Sequence, residues 1–173
     1  MITGEGISLH RLTEEDVTQE YVDWMNDIEV VRYTESRVYQ HTKESTLNFV
    51  RSVTNEFNYA FAIVDNKTQQ HIGNIKIGNI NPYHKNADMG LIIGRKEFWG
   101  KGIATEAIRL CAGFAFRELK LHRLWAGVYA SNVGSAKAFE KAGFGLEGTK
   151  REAALLDGQW QDCFIYGLVN HEQ

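Results

Sequence analysis

The sequence predicts an α/β fold organised around one central, mixed sheet, and three observations carry that prediction. Period-2 and period-3.6 hydrophobic patterns alternate along the chain in the order β-α-α-β-β-β-α-β-α-β-β. A glycine-bearing loop, Trp99-Gly100-Lys101-Gly102-Ile103-Ala104, falls where a strand gives way to a long amphipathic helix. The 173 residues are 43% hydrophobic and 24% charged, a globular composition in a chain long enough to bury roughly 70% of its unfolded surface. No repeat or low-complexity stretch divides the chain, and Pro82 is its only proline, so a single domain over residues 1–173 is expected.

Ile7–Leu12 alternates apolar and polar as a strand does. Thr13 is a helix N-cap with Asp16 at the box position, and the helix is expected to run to about Met25 with Val17, Tyr21 and Trp24 on one face. A second helix spans Thr42 to Thr54. Tyr59–Val64 and Ile72–Ile80 are strands joined by a turn at Asp65-Asn66-Lys67, and Gly73 and Gly78 mark bulges or close backbone approaches. Asp88–Ile93 is a further strand. After the glycine loop, Ile103, Ala107, Leu110, Cys111 and Phe114 form one helical stripe. Leu124–Tyr129 is a strand, and Asn132 to Ala142 is a helix closed by Gly143. Two final strands, about Gly145–Leu155 and Trp160–Val169, meet at the hairpin signal Asp157-Gly158.

The composition excludes several classes. Two cysteines, Cys111 and Cys163, form no CxxC pair, which excludes a disulfide scaffold and a cysteine-rich zinc site. No HxxH, HExxH or Cys/His cluster implies a metal. A net charge of −3 argues against a general nucleic-acid binder. No apolar run approaches a membrane span, and the N-terminus lacks a basic segment followed by an apolar one, so a reducing cytoplasm is expected. The charge is unevenly placed: −6 over residues 1–60 and +3 over residues 61–173. That asymmetry suits a cationic substrate in front and an anionic cofactor behind, or simply a solvated surface.

Gly100, Gly102 and Ala104 are small residues at alternate positions, which lets the backbone come close to a ligand. The free N–H groups and dipole of a helix start favour an anion there, and Lys101 adds charge. The loop lacks the Walker spacing and the third glycine of the dinucleotide fingerprint. It does resemble the acyl-CoA loop of the GNAT N-acetyltransferases, with Trp99 where that family usually has Gln or Arg. WGKGIATEA, Trp99 to Ala107, is similar to the branch containing the ribosomal-protein N-terminal acetyltransferases. A second family signature stands at Asn132-Val-Gly-Ser135-Ala-Lys-Ala-Phe139-Glu-Lys-Ala-Gly143-Phe144. The resemblance covers roughly residues 7–169.

The resemblance implies a GNAT fold, a mostly antiparallel sheet splayed between its fourth and fifth strands and flanked by helices, with acetyl-CoA in the opening and no metal. Ile92 and Ile93 would bond the pantetheine. Trp99, Gly100, Lys101, Gly102, Ile103, Ala104 and Thr105 would hold the pyrophosphate, with Arg95, Lys96, Lys137 and Lys141 within reach of phosphates. Asn132, Ser135 and Phe139 would lie along the cofactor, although Asn132 and Ser135 also suit helix capping. The backbone N–H of Ile93 is a candidate oxyanion donor. An alkyl ammonium has a pKa near ~10, so the attacking amine needs a base. Asp88 is the first candidate, Glu35 the second and His84 the third, with a structural carboxylate as the alternative reading of Asp88 and a surface histidine as that of His84. The family's usual proton-donating tyrosine is Phe139 here, which leaves Ser135, Asn132 or Tyr129 to assist the leaving thiolate.

Tyr33, Glu35, Arg37 and His84 are the candidate acceptor-binding residues. The segments around Tyr21–Arg37 and Asn79–Asp88 resemble acetyltransferases of nucleotide-linked amino sugars, and the latter also those of polyamines. The expected activity is therefore acetyl transfer to a small-molecule amine, an amino sugar first, with a polyamine or a protein N-terminus as alternatives and a non-catalytic acyl-CoA-binding module as a different class. The resemblance also allows a homodimer.

Overall fold

Alternation within Tyr59-Ala60-Phe61-Ala62-Ile63 sets the layers of the fold. Successive side chains of a strand point to opposite faces, so Phe61 and Ile63 enter one buried core while Ala60 and Ala62 enter another. The computed structural model describes residues 1–171. Its strands are β1 Ile2–Thr3, β2 Ile7–Arg11, β3 Tyr59–Asp65, β4 His71–Asn81, β5 Asn86–Ile93, β6 Arg123–Tyr129, β7 Gly145–Leu156 and β8 Gln159–Val169. Its helices are α1 Gln19–Asn26, α2 Ile28–Val31, α3 Lys43–Ser52, α4 Ile103–Arg117 and α5 Val133–Lys141. All eight strands form one sheet in the order β1-β2-β3-β4-β5-β6-β8-β7. Every neighbouring pair is antiparallel except β5 and β6.

α4 and α5 cover one face. Ile103, Ala107, Ile108, Cys111, Ala112 and Ala115 of α4 are buried there with Ile75 and Ile77 of β4 and Leu124, Ala126 and Val128 of β6. The expected stripe is present but rotated: Leu110 and Phe114 are only partly buried, and the alanines let the helix lie close to the sheet. α1, α2 and α3 cover the opposite face through Tyr21, Val22, Trp24, Val30, Val31 and Val50.

The expected helix from Thr13 to Met25 is two pieces. Glu14–Asp16 makes a single 3-10 turn, Thr18 is extended, and α1 starts after Thr18, whose hydroxyl accepts the Tyr21 N–H at 3.3 Å. The break follows from Asp16: one carboxylate oxygen accepts the Thr13 N–H at 2.7 Å while the other meets His10 Nε2 at 2.8 Å. That carboxylate ties the turn to β2 rather than letting the helix continue. α2 and the short 3-10 turn Glu35–Val38 fill the connection between α1 and α3. The bulges expected at Gly73 and Gly78 are present as register shifts on β4. The hairpin turn is as expected, with Asp157 and Gly158 both at positive φ (51° and 74°).

Candidate active site

β5 and β6 pair over three rungs only, Asn86–Arg123, Ala87–Leu124 and Asp88–Trp125. Beyond Asp88 the strands part, while β5 keeps β4 and β6 keeps β8 as partners. The sheet therefore opens into a V whose closed end is marked by Asp88. Because β1 is an extra two-residue strand, this is the splay expected between strands four and five.

The orientation of the open edge follows from two contacts. The Gly94 N–H donates to the Ile72 carbonyl of β4 at 2.9 Å, and a Cβ on Gly73 would stand 2.3 Å from the Ile92 carbonyl oxygen. Gly94 and Ile92 thus direct their peptide groups at β4. Alternation turns Leu91 and Ile93 toward the V. The Trp99 indole N–H donates to the Ile93 carbonyl at 2.8 Å. Ile92, expected to bond a pantetheine, is a correction: its backbone belongs to the β4 ladder. Leu91, which the sequence reading did not single out, faces the opening, and its strand parity relative to Gly73 is the signal that could have found it.

α4 begins where β5 ends. Gly100 and Gly102 have φ of +71° and +81°, and a Cβ on either would meet no atom within 4 Å. The glycines are therefore required by backbone conformation, and the space beside them is open. Gly102 is the N-cap of α4 and among the described residues no side chain caps the first turn, so the N–H groups of Ile103, Ala104 and Thr105 begin a helix of 15 residues without a side-chain acceptor there. This cradle fits a phosphate group. Lys101 is exposed, its Nζ 5.6 Å from the Phe98 ring centroid.

Two other cations expected near the phosphates are engaged with carboxylates of the α1–α2 region. Arg95 bonds Glu20 of α1 at 2.7 Å, and Lys96 pairs with Asp27 at 2.7 Å and with Glu29. Lys137 and Lys141 are exposed on α5, where Arg109 donates to the Lys141 backbone carbonyl. Asn132 acts as the helix cap, its Oδ1 accepting the Ser135 N–H at 3.2 Å. Phe139 is 2% exposed and packed between Phe144 and Tyr166, with centroids 5.1 and 6.5 Å away, so its ring is part of the core rather than of an open surface.

Asp88, Gly90 and Ile92 share a sheet face with Asn74 and Lys76 across β4 and with Trp125, Gly127 and Tyr129 on β6. This is the face that carries α1 and α2. Asp88 Oδ1 accepts from the Asn79 side-chain amide at 2.6 Å, and its Oδ2 lies 3.9 Å from Lys76 Nζ. At the open end of the same face, the Tyr129 hydroxyl donates to Glu35 Oε1 at 2.9 Å and accepts from Arg37 Nη1 at 3.0 Å. The direction is forced, since a guanidinium only donates. Burial pushes the Tyr129 phenol pKa upward, and the Glu35 carboxylate adds to that. Tyr33 packs edge-on against Tyr129 and bonds the Ser131 carbonyl at 3.3 Å. Arg37 also bonds the Leu155 carbonyl at 2.6 Å, and Arg32 pairs with Asp157 at 2.5 Å.

Tyr33, Glu35 and Arg37 are thus brought together, and the segment carrying them spans from α2 to the β7–β8 hairpin. His84 is separated from them. It lies exposed in the turn before β5, packed edge-on against Tyr83, next to the start of β6, while Tyr129 ends that strand about 20 Å further along. A cavity of about 360 Å³ lies beside Arg37, lined also by Met25, Ile28, Val31, Val38 and Tyr39. Among the described residues no group of three or more His, Cys, Asp or Glu is placed to hold a metal ion, and no helix is long and apolar enough to cross a membrane.

Comparison with known proteins agrees with this architecture. A family model described as an acetyltransferase (GNAT) domain matches residues 7–145. The probable N-acetyltransferase YjcK of Bacillus subtilis is 31% identical over 149 residues, 86% of this chain and 82% of that protein. The spermidine N(1)-acetyltransferase of Escherichia coli K12 is 25% identical over 99% of this chain and 90% of its own length. Among solved structures, a ribosomal L7/L12 α-N-protein acetyltransferase, RimL, bound to CoA aligns with a TM-score of 0.88 at 18% identity, covering 98% of this chain and 97% of that one. The chain belongs to the GNAT acetyltransferase family. It is an acetyl-CoA-dependent N-acetyltransferase, and the uncapped helix start beside an unpaired strand edge fits that co-substrate.

Proposed function

We propose that the protein acetylates the primary amine of a small molecule by direct attack within a ternary complex, with an amino sugar as the first acceptor class. The observation that best supports this reading is the continuity of the V. It runs from the α4 cradle along the Leu91 and Ile93 edge to Asp88, about 16 Å from Ile93 at strand rise, a length suited to an extended chain bearing two amides.

In this reading, the α4 N–H groups and the loop from Gly100 to Thr105 bind the pyrophosphate, with Trp99 closing the edge above Ile93. The Leu91 backbone and the Ile93 N–H bond the pantetheine, and at about 16 Å from Asp88 along the strand the Ile93 N–H, a candidate oxyanion donor by resemblance, stands too far from that base to serve the same reacting carbon. Asp88, at the closed end, takes the proton of the acceptor ammonium, directly or through water, while Asn79 and Lys76 hold its carboxylate in place. Glu35, steadied by Tyr129, orients the acceptor at the open end with Tyr33 and Arg37. Ser135, in the first turn of α5, assists the leaving thiolate. Its hydroxyl stands on the helix that carries Phe139, whose ring is in the core and has no proton to give. The free cysteines Cys111 and Cys163 suit a reducing cytoplasm.

The test is a thermal-shift titration with acetyl-CoA, CoA and NAD, followed by thiol release across amino sugars, spermidine and an N-terminal peptide. Binding to the native state alone raises Tm. A rise with both CoA species but not NAD, and transfer to an amino sugar, is expected. Binding without transfer to any amine would leave only an acyl-CoA-binding module, and transfer confined to the peptide would move the acceptor to a protein N-terminus.

A further inference from the structure

Resting on that reading, we infer that Arg37 and Arg32 are specificity-determining residues that restrict the acceptor to amines without additional positive charges. The first 60 residues carry a net −6, which by itself would favour a polycation. The fold offsets part of that charge internally. Glu20 is paired with Arg95, and Asp27 and Glu29 share Lys96, so two cations from the rear half stand against three carboxylates around α1 and α2. Glu14 is paired with Arg51.

The same pattern holds on the acceptor face. Glu35 shares the Tyr129 hydroxyl with Arg37, Asp88 has Lys76 at 3.9 Å, and Asp157 has Arg32 at 2.5 Å. Exposed pairs of this kind contribute little to stability, but they alter the field strongly. A carboxylate beside a fixed cation acts at a distance as a dipole, which attracts a polycation far less than an isolated charge does. A monoamine that delivers its nitrogen to Asp88 gains the local hydrogen bond. The further ammonium groups of a polyamine meet Arg37 and Arg32 at the open end and gain nothing.

The experiment measures kcat/KM for glucosamine and for spermidine with the wild-type enzyme and with Arg37→Gln and Arg32→Gln. CoA-induced thermal shift serves as the folding control. The wild type is expected to prefer glucosamine, with a spermidine kcat/KM nearly independent of ionic strength up to roughly 0.5 M. Each variant is expected to raise the spermidine-to-glucosamine ratio at least about tenfold at low salt, with the gain lost at high salt. Arg32 is half-exposed and meets the Asp157 carboxylate and the Tyr33 ring, so Arg32→Gln and the wild-type salt series decide the matter if Arg37→Gln does not fold. A wild type that prefers spermidine with a steep salt dependence, or variants with an unchanged ratio, overturns the inference and leaves acetyl transfer itself standing. Loss of transfer to every amine would instead remove the reading on which it rests.

Discussion

At Gly102 the backbone takes φ +81° with open space where a Cβ would stand, so conformation and ligand place separate demands on one residue. Gly102→Ala meets the conformational demand alone and is expected to cost about 1 kcal/mol of stability, with CoA binding retained in weakened form. Gly102→Glu adds a carboxylate to the anion cradle, and the CoA-dependent rise in Tm is expected to disappear. Thermal-shift titration of both variants checks this, and an undiminished shift in Gly102→Glu would remove the loop assignment. Gly94 is bound by a different constraint: a Cβ there would lie 2.0 Å from the Trp24 ring. Gly94→Ala is expected to displace α1 and to lower Tm more than Gly102→Ala does. The glycine of the loop was legible in sequence because its spacing belongs to a local turn. Gly94 was not, because its reason lies on a helix some seventy residues earlier in the chain. Asp88 was legible as a candidate, but its two holders, Asn79 and Lys76, depend on the β4 bulge and the β4–β5 register.

α5 shows how an element can keep a family position while changing what stands there. Its cap, Asn132, and its end at Gly143 are readable in sequence, since both are local backbone devices. The burial of Phe139 against Phe144 and Tyr166 is not. Phe139→Tyr would bury a hydroxyl in that stack. The expected result is a loss of about 1–3 kcal/mol, read as a Tm lower by several degrees with CoA affinity unchanged. A gain in turnover with no loss of Tm would show that the ring reaches the reaction. α1 carries a similar lesson at its start. Thr18 caps it through the Tyr21 N–H, so Thr18→Ala is expected to cost about 1 kcal/mol in a denaturant titration. Thr13→Ala instead loosens the 3-10 turn before it.

Over the whole molecule, the acidic and basic halves face each other across the sheet end where α1 and α2 meet the Arg95–Lys96 turn. Beneath that contact His71 is packed against Trp24 and Tyr21, with its Nε2 near the Gly73 carbonyl and Asn74 Oδ1 and its Nδ1 buried without a partner among the described residues. Burial holds its pKa below the ordinary histidine value, against the opposing pull of Asn74 and Asp16. The unfolded chain then takes up a proton that the folded chain refuses as pH falls through about 6.5. Stability is expected to decline between about pH 7.5 and about pH 5.5, and His71→Gln is expected to flatten that part of the Tm profile. A wild-type Tm independent of pH across the window would show that His71 protonates freely in the folded state.

The sequence by itself determined the strand and helix order apart from β1 and α2, the glycine loop at the head of α4, the cap of α5, the hairpin turn and the family. All of these are set by periodicity or by contacts among residues within a few positions of one another. Only the tertiary structure decided which edge of β5 is open, that Ile92 belongs to β4 while Leu91 faces the V, that Glu35 meets Arg37 through Tyr129, and that His84 stands apart from them. It also decided that Arg95 and Lys96 pair with carboxylates at α1 and α2. These outcomes depend on register and on charge pairing between distant segments, where a shift of one residue turns a side chain to the opposite face.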